Sequence, residues 1–305
     1  MASNALIWNP LASWHPKERS RKDRLMVFYN STKGNLGLRQ WTPGGELGWG
    51  NFWAERAESG KGNVKVGTGM TALHYLDWIR VYGIVSHLDE ATKQTTDYIS
   101  LLSPVIQSLS VKTDYDRLSG TGDGEGNAWL YYLNDDPPTI HERDLNNANS
   151  QKLANHLKLL DDKEHSARTH LASAWLHKEK KRFVFFQVNG GHTRALEVKG
   201  DKVDAKHGTP MAATSFVVAD TEVLVLYTIR NADGLLSRNS SIDAGVNWET
   251  EILNGAGNPS PETLSAAANA NIKENAVVFS ATGTSEYQVY SDTWEAILAK
   301  HKLKL

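Results

Sequence analysis

His74 and Tyr75 are neighbours that can both handle protons, and Arg80 follows five positions later. An imidazole titrates near neutral pH and serves as acid or base, and a phenol can donate to a carbonyl. A guanidinium offers donors in a rigid fork suited to carbonyl or anionic oxygens. These three are the candidate catalytic residues. The structural alternative is that one of His74 and Tyr75 packs inside while the other is solvated, and that Arg80 pairs with an acid such as Asp77. Trp8, Tyr75, Trp175 and Phe216 each close a run of small residues: Ala5–Trp8, Ala72–Tyr75, Ala172–Trp175 and Ala213–Phe216. If those runs are equivalent strands, the four rings meet near one face, as packing, as the wall of a pocket, or as both.

Other segments carry less chemistry. Gly120–Gly126 is glycine-rich but lacks the Gly-Lys-Ser/Thr ending of a phosphate loop and reads as a turn. Asp114, Asp116, Asp123 and Glu125 lie close by without EF-hand spacing. Lys178–Arg182 reads as a solvated hairpin turn. The eleven histidines give no paired ligand spacing, and no Ser-His-Asp order or nucleophile elbow is visible. With no cysteine, thiolate metal sites, disulfides and cysteine nucleophiles are excluded. We therefore expect no metal and no cofactor.

The positioning elements are repeats. Six β-type runs recur at Leu25–Tyr29, Ile79–Tyr82, Trp129–Tyr132, Phe183–Phe186, Leu224–Tyr227 and Ala276–Phe279. Their centres are spaced by 54, 49, 54, 41 and 53 residues. Small-residue runs precede them, with weaker copies at Leu118–Thr121 and Ala267–Ala270, as suits innermost strands converging on an axis. Third strands follow at Leu36–Trp41, Thr95–Ser100, Thr139–Arg143, His192–Leu196, Gly234–Arg238 and Glu286–Tyr290. Outer strands are expected to carry Trp49, Trp53, Trp248 and Trp294. This pattern predicts an all-β, six-bladed β-propeller in one domain over residues 1–305. Gln151–Leu160 and the tail Thr293–Leu305 are expected as helical connections. The 305 residues carry 33 basic and 35 acidic side chains, a net charge of −2, which argues against a phosphate-neutralising nucleic-acid binder. No apolar stretch is long enough to span a membrane.

The repeat resembles the fungal fucose-binding lectins of the Aleuria type, with Ile79-Arg80-Val81-Tyr82 as the best single match. The resemblance implies a lectin-like propeller whose sugar sites pair an arginine on the second strand with a glutamate on the third. No blade here keeps both. The two positions hold Met26 and Gln40, Arg80 with no following Glu, Trp129 and Glu142, Phe183 and Ala195, Leu224 and Arg238, and Val277 and Val289. Apolar groups have replaced polar ones, which points to a pocket for hydrophobic small molecules.

A divergent form of this fold is similar to the hetero-Diels–Alderases of tropolone–sesquiterpenoid biosynthesis. That likeness implies dehydration of a hydroxymethyl tropolone to a quinone methide, followed by addition to a humulene-type terpene. Such chemistry needs near-attack positioning and donors to a carbonyl oxygen. His74, Tyr75 and Arg80 are the expected catalytic groups, and Trp8, Trp129, Trp175 and Phe216 the expected substrate walls. The competing expectation is a divergent glycan-binding lectin using Arg80 and Glu142, and the dullest is a scaffold without a ligand. The resemblance also raises a homodimer as the expected assembly. Sequons at Asn30 and Asn239 are expected glycan carriers. The start MASNALIWNP has no secretion signal, but an initiating Met replacing a removed signal peptide would look the same, so the compartment stays open.

Overall fold

The computed structural model describes residues 4–9, 24–41, 64–135, 138–153, 169–188, 192–196, 203–205, 208–230, 232–253, 259–281 and 287–305. They form an all-β β-propeller built from six antiparallel sheets. The first holds β1 (Asn4–Asn9), β2 (Arg24–Asn30) and β3 (Leu36–Trp41). The second holds β4 (Thr71–Tyr75), β5 (Trp78–Leu88), β6 (Thr95–Ser103) and β7 (Gln107–Lys112). The third holds β8 (Leu118–Gly122), β9 (Ala128–Asn134), β10 (Thr139–Asp144) and β11 (Ser150–Lys152). The fourth holds β12 (Ala172–Leu176), β13 (Lys181–Val188), β14 (His192–Leu196) and β15 (Val203–Asp204). The fifth holds β16 (Ala212–Val218), β17 (Thr221–Ile229), β18 (Leu236–Ser241) and β19 (Glu249–Ile252). The sixth holds β20 (Pro259–Asn269), β21 (Glu274–Ala281) and β22 (Tyr287–Thr293), and helix α1 (Trp294–Lys300) follows.

The first strands of the sheets meet in ring order, β1 to β4, β8, β12, β16, β20 and back to β1. Crowding at this ring explains its small residues. A Cβ on Gly120 would stand 2.9 Å from both Thr71 Cγ2 and Leu130 Cδ2, and one on Gly69 2.4 Å from the Leu118 backbone nitrogen. The second strands carry the core. Apolar clusters fill the gap between each pair of neighbouring sheets, for example Leu73, Tyr75 and Tyr82 against Leu118, Leu130 and Tyr132. Trp8 ties the first sheet to the sixth by donating Nε1 to the Ala267 carbonyl at 3.0 Å.

The last two sheets are also locked by charge. Arg238 is 1% exposed and pairs with Asp292 and Glu251. The Tyr227 hydroxyl donates to Asp292 at 2.6 Å, Asn275 donates to that hydroxyl at 3.0 Å, and Trp294 Nε1 donates to Asn275 at 2.9 Å. Burial pushes the Asp292 carboxyl up against the opposing pull of Arg238 and Tyr227.

Several expectations change at this level. Trp294 is not on an outer strand: it begins α1, capped by Thr293, and stacks on Phe216 with centroids 4.0 Å apart. Trp248 lies just before β19. Trp49 and Trp53 fall outside the described residues, as does most of the expected helix at Gln151–Leu160, whose first two residues end β11. Gly120–Gly126 is the end of β8 and its hairpin turn, in which Asp123 accepts from the backbone of Glu125 and Asn127. At the two sequons, Asn30 and Asn239 are fully buried, and their Nδ2 groups donate to the Lys65 carbonyl at 2.8 Å and the Leu226 carbonyl at 3.2 Å.

Candidate functional site

Side chains alternate along a strand, so the two phases of an inner strand face the two neighbouring sheets. Residues of both phases, including Ile7 and Trp8, Leu73 and His74, and Ala174 and Trp175, line a cavity of about 450 Å³ at the C-terminal end of the inner strands. The size lies within the usual range for small-molecule sites. A second cavity of about 150 Å³ opens at the other end of the ring. The two meet at a waist of Leu6, Ala72, Gly120, Ser173, Ala213 and Ala266, one residue from each inner strand.

The wider end brings together Trp8, His74 and Trp175. His74 Nε2 lies 2.9 Å from the Trp8 carbonyl oxygen. That oxygen can only accept, so Nε2 carries the proton and Nδ1 is left as the acceptor of a neutral ring. The wall is mixed rather than apolar, because Thr121, Ser215 and Asn269 stand among the rings and alanines. His177, two residues beyond Trp175, joins the lining. His177 is not among the expected site residues, although its spacing of two from Trp175 is the sequence signal that marks it.

Other expected residues lie elsewhere. Tyr75, one residue out of phase with His74, packs between the second and third sheets. Arg80 lies over its ring with Cζ 4.9 Å from the centroid, and the guanidinium also acts on the Tyr82 hydroxyl. Burial raises the pKa of both tyrosines and Arg80 opposes that rise. Arg80 Nε is buried with no hydrogen-bond acceptor. Phe216, also out of phase, sits in the cluster around Trp294. Trp129 stacks behind Trp175 with centroids 5.4 Å apart. The alternative sugar pair, Arg80 with Glu142, is not brought together. Glu142 is 2% exposed and is taken by Arg182 at 3.4 Å and by Gln151 at 2.9 Å.

Arg182 was also missed. It is the second residue of β13 rather than part of a solvated turn, and it covers the Trp129 ring at 4.4 Å. An arginine–glutamate pairing confined to one repeat misses it, because this pair joins the third sheet to the fourth. Trp129 is thus covered from the fourth sheet by Trp175 and Arg182, which are cross-strand neighbours there.

Among the described residues no group of three or more His, Asp or Glu is placed to hold a metal ion. No described helix is long and apolar enough to cross a membrane.

No family model matches the chain. A wall-associated proteinase of Coccidioides immitis is 23% identical over 290 residues, covering 88% of this chain and 90% of that protein. Among solved structures, the SapL1 lectin in complex with α-methyl fucoside superposes with a TM-score of 0.65 at 16% identity, over 95% of this chain and 92% of the lectin. AofleA from Arthrobotrys oligospora gives 0.61 at 14%, over 97% and 84%. The Aleuria aurantia lectin, described as a six-bladed propeller with a novel fucose recognition mode, gives 0.59 at 13%, over 96% of each chain. The structural neighbours of this chain are fungal fucose-binding lectins, and it shares their β-propeller fold.

Proposed function

We propose that the six sheets act as six blades around a working axial cavity, and that the chain is a cofactor-independent hetero-Diels–Alderase acting there. The observation that carries this reading is the convergence of Trp8, His74 and Trp175 on one cavity, with the His74 tautomer set by the Trp8 carbonyl. In this reading the Trp175 indole holds a flat tropolone and a humulene-type terpene in near-attack geometry, against a wall that Trp8, packed between the sixth and first sheets, closes. His74, as imidazolium, protonates the departing hydroxyl of the hydroxymethyl tropolone, and the C–O bond breaks to release water. The ring hydroxyl returns a proton to the imidazole, and the neutral quinone methide adds to the terpene. His74 takes this role over Tyr75 because Tyr75 is packed between sheets. Arg80 and Phe216 then support the fold, and Trp129 backs Trp175.

The test is an assay of quinone-methide precursor with humulene. His74→Ala should lower turnover by about 10²–10⁴, the usual worth of a positioned acid or base. Trp175→Phe should disturb the product ratio more than the rate. Wild-type rate and selectivity in both variants, with circular dichroism unchanged, would move the site away from the axis.

A second reading, glycan binding without catalysis, is favoured by one observation. Trp78 is 60% exposed on the same strand as Arg80, beside Tyr75, and so offers an aromatic face near a guanidinium. Calorimetry with α-methyl fucoside decides it, since micromolar binding abolished by Trp78→Ala would favour the lectin. The proteinase name borne by the Coccidioides relative finds a weaker counterpart. Ser240 Oγ lies 2.9 Å from His301 Nε2, but Ser240 is 1% exposed and a peptide carbonyl cannot reach it.

A further inference from the structure

The narrow end of the axial channel differs chemically from the end at Trp8 and His74. Its charged or titratable lining, among the described residues, consists of Arg117 and His170. Arg117 immediately precedes β8, and its hydrogen bonding is poor. Nη1 reaches the carbonyl of its own neighbour Asp116 at 3.5 Å, and Nε is buried with no acceptor. The closest acid in sequence, Asp116, directs its carboxylate to Lys65 Nζ at 2.6 Å, and Lys65 is shared with Asp97 at 2.7 Å. The same cavity is lined by the hydroxyl residues Thr71, Ser119, Ser173 and Thr263, of which Thr71 is turned to the Gly120 carbonyl and Thr263 to Ser280. Ser119 Oγ and Ser173 Oγ are 2.8 Å apart, so only one of the two protons is used between them and the other is available.

A cation drawn out of water is costly unless it is paired and fully hydrogen-bonded. Arg117 is half-buried with its Nε out of reach of solvent, it is neither paired nor fully bonded, and it lines the narrow cavity. We propose that the narrow end of the axial channel is a binding site for a small oxyanion, either a short carboxylate or an inorganic phosphate or sulfate. Arg117 supplies the charge, and Ser119 and Ser173 supply hydroxyl donors. A guanidinium fork binds either anion type in the same two-point way, so the head-group chemistry is shared. The cavity of about 150 Å³ admits such an anion but no large ligand. Burial and the nearby Arg117 charge lower the His170 pKa well below its usual value, so His170 is neutral near pH 7 and offers one donor without adding charge. The inference does not depend on the reading of the wider end, because it uses different residues on the far side of the waist.

The test is titration of the intact chain with sodium phosphate, sodium sulfate and sodium acetate, each at constant ionic strength set with chloride. Binding is followed by calorimetry and by the His170 ring resonances. The proposal expects saturable binding of at least one anion with a matching shift of the His170 signals. Whichever anion saturates at the lowest concentration identifies the head group. Arg117→Gln should weaken it at least tenfold, and Lys93→Gln, in the exposed turn between β5 and β6, should change it less than twofold. If Arg117→Gln does not fold, Ser173→Ala serves instead, with a loss of about threefold or more expected. No saturation with any of the three anions, or equal affinity in Arg117→Gln and the parent, overturns the site.

Discussion

Arg238 and Arg117 are both held inside this propeller, and they are treated in opposite ways. Arg238 bridges two carboxylates and the Ala296 carbonyl of α1, and Asp292 also accepts from Tyr227, whose hydroxyl accepts from Asn275, which in turn accepts from Trp294. Arg117 has one long contact to a backbone oxygen and a bare Nε. Between the fifth and sixth sheets, cooperating partners turn a buried cation into a fastener. At the channel end the same side chain is left unfinished by the protein. The difference teaches which buried charge belongs to the fold and which is open to a ligand.

The largest effect should come from breaking the fastener. Arg238→Met leaves Asp292 buried and unpaired, and should cost about 3–5 kcal/mol in urea unfolding. A loss under about 1 kcal/mol would mean that the network contributes little to stability. Next comes the acid side of the stability curve. The folded His170 pKa lies well below the unfolded value, so the unfolded chain gains a proton first as pH falls. Its contribution is full above pH ~6.5 and declines below that by about 1.4 kcal/mol per pH unit. His170→Gln should flatten this slope between pH 6.5 and 5; an unchanged slope would place His170 in contact with bulk water. The smallest effect is expected from Arg117→Met. Removing a cation that has no good partner should leave stability unchanged or raise it by about 1 kcal/mol in anion-free buffer. A loss of several kcal/mol would make Arg117 a second structural fastener and erase the contrast.

Much of the scaffold was legible in the chain. The small-residue runs and the β-branched runs that follow them fall on the first and second strands of the sheets, because crowding at an axis and burial on both faces restrict residue choice strongly. Trp8 and Trp175 were legible as residues at equivalent strand ends, but that equivalence placed Tyr75 rather than His74 beside them. Tyr75 and Phe216 were misplaced by a single residue of phase, and in a strand one residue reverses the face. The Arg182–Glu142 pair was not legible. Its members lie on different sheets, and nothing local marks a partner across a sheet boundary. Trp294 fell in two expectations, an outer strand and a helical tail over Thr293–Leu305; α1 fits the tail, which Thr293, Glu295 and Lys300 mark by its N-cap and end charges.

The account stands most directly on where a small molecule settles in the propeller. A crystal structure of the chain soaked with a hydroxymethyl tropolone is the measurement. The axial reading expects the ring between Trp8 and Trp175, with an oxygen within about 3.2 Å of His74. A tropolone lodged between the second and third sheets against Trp78 and Arg80, with the axial cavity unfilled, would contradict it.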